Sequence, residues 1–402
     1  KLIKRKDINR LINACDAGRE GELIFRLIAQ HTKATQKVER LWLQSMTPQA
    51  IKDGFGKLRS DEELMNLANA ARCRSESDWL IGINGTRAMT AFNSKSGGFF
   101  LTTVGRVQTP TLSIVVEREE LIRKFISRDY WEVTAEFICA AGIYQGRWFD
   151  PKFKKDSKEA NADPEKKDSR LWSEAAAASI VAACHDKTGK VREESKPSSQ
   201  AAPQLFDLTS LQREANARFG FSAKNTLGLA QALYERHKVL TYPRTDSRAL
   251  PEDYLPTVTS TLEMLAESSD NYYPHAAQIL NNSWVKPNKK IFDNSKISDH
   301  FAIIPTLQAP KNLSEPEQKL YDLVVRRFMA IFFPSAEFKV TTRITEVSGH
   351  LFKTDGKILI NPGWLAVYGK SSQDDKELVV VGENEKVQTE SVKPVSLKTK
   401  PP

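Results

Sequence analysis

The spacing of hydrophobic and polar positions changes several times along the 402 residues, and each change predicts an element. RLINACD (10–16) is a short apolar run ending in an acid, which predicts a strand, and GREGELIFRLIAQHTK (18–33) has helical spacing. VERLWLQS (38–45) predicts a second strand. Thr47 is a good N-cap, and Pro48 suits the first turn of the helix running through AIKDGF. This is a βαβα unit, with acids at the C-terminal end of a strand, where α/β sheets place their sites. Residues 61–92 read as helix, with Gly82 and Gly85 marking a bend. GRVQTPTLSIVVEREELIRKF (105–125) predicts another helix with Leu112, Val115, Val116 and Leu121 on its inner side.

From residue 130 the period becomes two, and YWEVTAEFICA and GIYQGRWFD predict paired strands. KFKKDSKEANADPEKKDSR (152–170) is nearly devoid of apolar residues and reads as a mobile surface loop. LWSEAAAASIVAACHD returns to helix, and GKVREESKPSSQAAP (189–203) reads as a strand followed by a polar hinge. Helices follow at 210–220, 222–237, 252–266 and 315–336, with Ser222 capping the second. Strand alternation resumes at 337–360 and 376–397. The division is 1–59 α/β, 60–125 helical, 126–203 β-rich, 204–336 helical, and 337–402 a return into the β-rich domain.

Composition narrows the class. Hydrophobic residues make up 40% and charged residues 27%, as in globular chains, and the net charge of +9 suits an acidic polymer such as DNA or RNA. Cys15, Cys73, Cys139 and Cys184 are spaced for neither a zinc knuckle nor a redox pair, and read as free thiols in a reducing compartment. No apolar run approaches the roughly 20 residues of a membrane helix, and no signal peptide is evident. The chain opens on KLIKRKDINRL, already in mid-pattern, and stops on KTKPP, so a fragment lacking both ends is expected.

Three constellations carry chemistry. In TYPRTDS (241–247), Tyr242 is either packed beside a turn or a nucleophile. Pro243 disfavours helical backbone at Tyr242, so the segment is extended or turning, and if it is extended Arg244 falls on the same side. An arginine fork suits a phosphodiester oxygen. In CDAGREGELIF (15–25), Asp16, Glu20 and Glu22 either complement a helix dipole or hold Mg²⁺. In SDHFAIIPT (298–306), His300 is either structural or a phosphate contact and proton shuttle. GWLAVYGKS (363–371) has five residues between its glycines where a phosphate loop needs four, so no ATP site is expected.

In their order, these motifs resemble the type IA DNA topoisomerases, most of all the bacterial topoisomerase III branch. RSESDWLIGINGTRAMT (74–90), TTVGRVQTPTLSIVVERE (102–119), LFDLTSLQREANARFGFSAKNTLGLAQALYE and NPGWLAVYG extend the resemblance over essentially the whole chain. It implies a multidomain fold of α/β, α and β parts: a toroid or arch with a partial Toprim domain, helical gate domains and a β-rich hinge domain. It further implies that Tyr242 attacks a single-strand phosphodiester and becomes linked to the 5′ phosphate. Arg244 would stabilise that phosphate, and His300 would contact the phosphate network. Asp16 and Glu20 would bind Mg²⁺, with Glu20 also moving protons. Arg72, Arg74, Arg87, Arg106, Gln108 and Gln231 are the candidate DNA contacts. The implied partners are single-stranded and negatively supercoiled duplex DNA, without ATP or membrane, for a monomer in the bacterial cytoplasm at the nucleoid.

Two departures accompany the resemblance. Gly18 stands where many members have a second aspartate, and Glu22 is the acid available to compensate. The glutamate and lysine of the family's first Toprim strand, the decatenation loop and the remainder of the gate-supporting domain are not found, so impaired turnover is expected of these residues alone. A Toprim-type nuclease or primase would need the acidic motif without TYPRTDS. A nonenzymatic DNA-binding protein could keep the fold alone, and a type IB enzyme or tyrosine recombinase would link the 3′ phosphate.

Overall fold

The computed structural model describes residues 2–153, 163, 165–370 and 378–402. The mobile-loop reading of 154–162 and 164, the first two residues of the 376–397 strand region, and Ser371 lie outside the described residues. The chain divides into two compact units: Lys1–Gln108, Ala201–Pro334 and Trp364–Gly369 form one, and Thr109–Gln200, Ser335–Gly363 and Lys370–Pro402 the other.

The first unit begins with β1 (Arg10–Asn13), α1 (Arg19–Thr32) and β2 (Lys37–Arg40), a β-α-β crossover whose strands run parallel. α2 (Pro48–Phe55) starts where the Thr47 hydroxyl accepts the Ala50 N–H at 3.2 Å, with Pro48 in its first turn. β3 (Arg59–Ser60) pairs antiparallel with β2 and leads into α3 (Asp61–Asn93), capped by a reciprocal Ser60–Glu63 box. α3 runs unbroken through Gly82 and Gly85, which the sequence read as a bend. Close approach explains one of these glycines: a Cβ at Gly85 would come within 2.8 Å of the Val104 side chain.

α4 (Gln108–Lys124) holds no buried residue. Leu112, Val115, Val116 and Leu121 are 62%, 60%, 46% and 56% exposed, not inward-facing as the spacing predicted. Periodicity reports what a helix face is made of, not whether anything lies on it.

The second unit is built on β4 (Asp129–Cys139), β5 (Gly142–Phe149), α5 (Glu174–Cys184) and β6 (Thr188–Gln200). The chain then returns to the first unit through α6 (Leu208–Phe219), α7 (Ala223–Glu235), α8 (Leu255–Ser268), α9 (Tyr273–Asn281) and α10 (Glu315–Ala330). α10 is the centre of that helical core, with Leu320, Tyr321, Val324, Val325, Phe328 and Met329 all fully buried. Residues 363–368 form a 3-10 turn beside it, where Arg326 donates to the Val367 carbonyl at 2.6 Å.

β7 (Ala336–Val347), β8 (His350–Asn361) and β9 (Lys386–Lys398) complete the second unit as a closed barrel in the order β4-β5-β8-β7-β6-β9. Alternation along β4 points Val133, Ala135, Phe137 and Cys139 inward, and α5 adds Ala177, Ile180 and Cys184 to that core. β6 pairs with β7 continuously from Lys190 to Gln200, so the polar hinge expected across 190–203 is barrel strand over most of its length. Its polar residues are exposed strand positions, which composition alone does not distinguish from a linker.

Candidate active site

The acidic loop is held by a buried charge network. Arg40, at the end of β2, is almost wholly buried. Its Nη1 donates to the Asn13 carbonyl (2.9 Å), the Asn13 Oδ1 (3.2 Å), the Cys15 carbonyl (2.7 Å) and the Leu41 carbonyl (3.1 Å), and its Nη2 to the Asp16 carbonyl (2.5 Å). The guanidinium therefore fixes the backbone leading to Asp16. Its Nε lies 3.4 Å from Glu22, which also accepts from Asn13 at 3.0 Å and from Arg26 at 2.8 Å. Burial holds the Arg40 guanidinium below its ordinary value, while Glu22 chiefly pulls it back up; arginine nevertheless stays charged. Glu22 is 1% exposed and spent on this network, so it does not compensate for Gly18.

The tyrosine segment is laced to the histidine segment. Thr241 donates its N–H to the Ile304 carbonyl (3.0 Å) and its hydroxyl to the Ala302 carbonyl (3.0 Å), and accepts the Ile304 N–H (2.9 Å). The Thr245 hydroxyl donates to the His300 carbonyl at 2.8 Å. Around these ties, buried Pro243 and Thr245 alternate with half-buried Tyr242 and exposed Arg244 and Asp246, and the chain bends at Pro243, the turning form of the non-helical segment expected for TYPRTDS. Gln44, after β2, donates to the Ile297 carbonyl at 2.7 Å and ties the histidine segment to the α/β layer.

These ties bring three distant segments to one cavity of about 330 Å³, lined by Asp16, Tyr234, Lys238, Tyr242, Asp299 and His300 among others. The Tyr242 and His300 rings lie 4.2 Å apart, and Tyr234 meets Tyr242 edge-on at 5.4 Å. His300 Nε2 is 3.6 Å from Asp16 Oδ2. Burial pushes the Tyr242 phenol above its ordinary value; Arg244 pulls it down, and Asp16, Tyr234 and Glu235 push it up. The phenol is therefore protonated at neutral pH, and attack requires its proton to leave. Arg244 is exposed beside it.

The remaining candidates are dispersed. Glu20 is 66% exposed and faces Arg74 at 3.8 Å. Arg106 binds Asp78 at 2.5 Å, which joins it to the Arg74 side of α3. At about 100° per residue, Arg72 and Arg87 lie on a different side of α3 from Arg74, so the four arginines do not share one face. Arg72 pairs with Glu76 at 2.6 Å, and Arg87 is exposed. Gln108 is exposed at the start of α4, and Gln231 is half-buried on α7.

Mg²⁺ prefers octahedral oxygen coordination and keeps several waters. Asp16 and Glu20 are more than half exposed, Gly18 brings no carboxylate, and no three His, Cys, Asp or Glu side chains converge among the described residues. The donor set fits an ion held by one or two carboxylates together with water and phosphate, not a closed protein cage.

The family model for DNA topoisomerase matches residues 62–402. The chain belongs to the bacterial type IA DNA topoisomerases. It is 40% identical over 377 residues to DNA topoisomerase 3 of Bacillus licheniformis, covering 93% of this chain and 48% of that protein. The match to DNA topoisomerase 3 of Bacillus subtilis is 39% over 379 residues, covering 93% and 49%. The chain thus spans about half the length of the curated relatives it matches. Among solved structures, full-length topoisomerase I from Thermotoga maritima superposes with a TM-score of 0.67 at 23% identity, over 96% of this chain and 59% of that one, which shows the shared fold.

Three features of this topoisomerase chain escaped sequence reasoning. Arg40 carries no local signal, because a charged residue in a strand reads as surface. Asp299 adjoins His300 but was not singled out. Tyr234 was read only as part of a helix. No helix among the described residues is long and apolar enough to cross a membrane.

Proposed function

We propose that a full-length protein carrying these 402 residues cleaves single-stranded DNA through Tyr242, passes a strand and religates, relaxing negative supercoils without ATP. The carrying observation is the convergence of Tyr242, His300 and Asp16 from three distant segments, with ring centroids 4.2 Å apart and an ion-pair distance of 3.6 Å. In the proposed step the Tyr242 oxygen forms a bond to the 5′ phosphorus as the bond to the 3′ oxygen breaks. The phenol proton leaves and the departing 3′ oxygen takes one up, so the exchange is proton-neutral. It replaces one phosphodiester with another, which is why no nucleotide triphosphate is needed.

His300 and Asp16 would hold or move the proton beside the phenol. Arg244 offsets charge developing on the phosphate. Mg²⁺, held through Asp16 and Glu20, would supply positive charge beside the phosphates when bound. Arg74 and Arg106, with Arg72, Arg87, Gln108 and Gln231, would position the strand through backbone contacts without sequence preference. Monomeric action on single-stranded and negatively supercoiled DNA in the bacterial cytoplasm, with linked DNA also resolved, completes the proposal. Plasmid relaxation by the full-length protein with Mg²⁺ and no nucleotide tests it, and a strict requirement for ATP would reject it.

A further inference from the structure

Gly18 sits at the mouth of α1 with φ −163° and ψ −175°, an extended backbone that any residue adopts. Conformation therefore does not require glycine there. Close approach is what marks the position: a Cβ on Gly18 would fall 2.2 Å from both carboxylate oxygens of Asp299 as they stand, so the Asp299 side chain would have to shift. From below, Gly21 gives room to the Asp16 backbone, whose carbonyl a Cβ at 21 would meet, so the loop cannot yield into the helix. The residue after Asp299 is His300, 3.6 Å from Asp16 and in tilted ring contact with Tyr242. Thr245 holds the His300 carbonyl at 2.8 Å, so displacing position 299 also strains the tyrosine segment.

We propose that Asp299 is a positioning residue for DNA cleavage: its carboxylate seats on Gly18, and that contact sets the spacing of His300 and Asp16 beside Tyr242. Gly18 is then the seat of the histidine segment and not simply a lost acid. This rests on the proposed cleavage reaction and adds a residue pair to it.

The test is single-turnover cleavage of a labelled single-stranded oligonucleotide by the full-length protein, with strand affinity measured in parallel. Gly18→Ala lowers the cleavage rate at saturating DNA at least about tenfold, as expected for reacting groups moved by a fraction of an ångström. Affinity stays within about twofold, because the loss is in the chemical step. In an Asp299→Ala background the same Gly18→Ala change costs less than about twofold, since the obstructing carboxylate is gone. Asp299→Asn, which keeps the shape, retains cleavage within about threefold, whereas Asp299→Glu, longer by a methylene, loses at least about tenfold. A tenfold cost of Gly18→Ala in both backgrounds, or Asn and Glu variants that behave alike, would overturn the role of Asp299 alone. A wild-type protein that forms no Tyr242 adduct would overturn the cleavage reading, and this role with it.

Discussion

Replacing Arg40 with methionine isolates what holds the acidic loop in place. The side chain keeps an unbranched apolar stem but is shorter than arginine and loses every donor. The Asn13, Cys15, Asp16 and Leu41 carbonyls each lose a hydrogen bond of 2.5 to 3.1 Å, and Glu22 loses the guanidinium 3.4 Å away. Removing one partner of a buried ion pair costs about 3–5 kcal/mol. Glu22 keeps Arg26 at 2.8 Å and Asn13 at 3.0 Å, which places the loss at the lower end of that range. About 3 kcal/mol corresponds to roughly 100-fold in a local opening equilibrium. Hydrogen exchange followed by mass spectrometry reads this directly: amides of β1 and α1 should exchange about 100-fold faster in Arg40→Met, while those of the barrel strands keep their rates. Arg40→Lys, a point charge without the fork, should fall between. A change below about threefold in β1 and α1, or an equal change in the barrel, would refute the clamp.

Arg244→Ala should leave the nucleophile in place and slow cleavage on the order of 100-fold, the usual loss for one charge-stabilising donor; single-turnover cleavage measures it, and an unchanged rate would remove Arg244 from the chemistry. Burial works to raise the Glu317 carboxyl, but Ser314, Arg236 and His237 together hold it at about 2, below its ordinary 4.5. The resulting stability is present above pH 4.5 and is lost as pH falls toward 2. Thermal melting of Glu317→Gln should show a shallower acid dependence over that window, and an unchanged slope would contradict the assignment.

Much of the local structure is legible in the sequence. The Thr47 and Ser222 caps, the alternation along β4 and the crossover around α1 follow from spacing and turn chemistry. The barrel closure is not legible, because β4 and β9 pair Asp129 with Lys398 across most of the chain, and no local pattern encodes that register. β6 was misread for a related reason: most of its residues are exposed, and strand pairing leaves no hydrophobic trace in them. The exposed face of α4 shows the reverse error, an apolar pattern taken as proof of a covering partner. At the site, Pro243 foretold a non-helical backbone at Tyr242, but nothing local joined it to His300. The family resemblance linked those motifs before the threonine ties could be seen. The Gly18–Asp299 contact was invisible because glycine was read as an absent acid and not as space filled from another segment.

The most direct test of the central claim is the identity of the covalent intermediate. The full-length protein is denatured during reaction with an end-labelled single-stranded oligonucleotide, and the adduct is mapped by peptide mass spectrometry. The 5′ phosphate should be attached to Tyr242, and Tyr242→Phe should form no adduct while binding the strand within about twofold, because only the attacking oxygen is lost. An adduct on another residue, or on the 3′ phosphate, from an active protein would contradict the account.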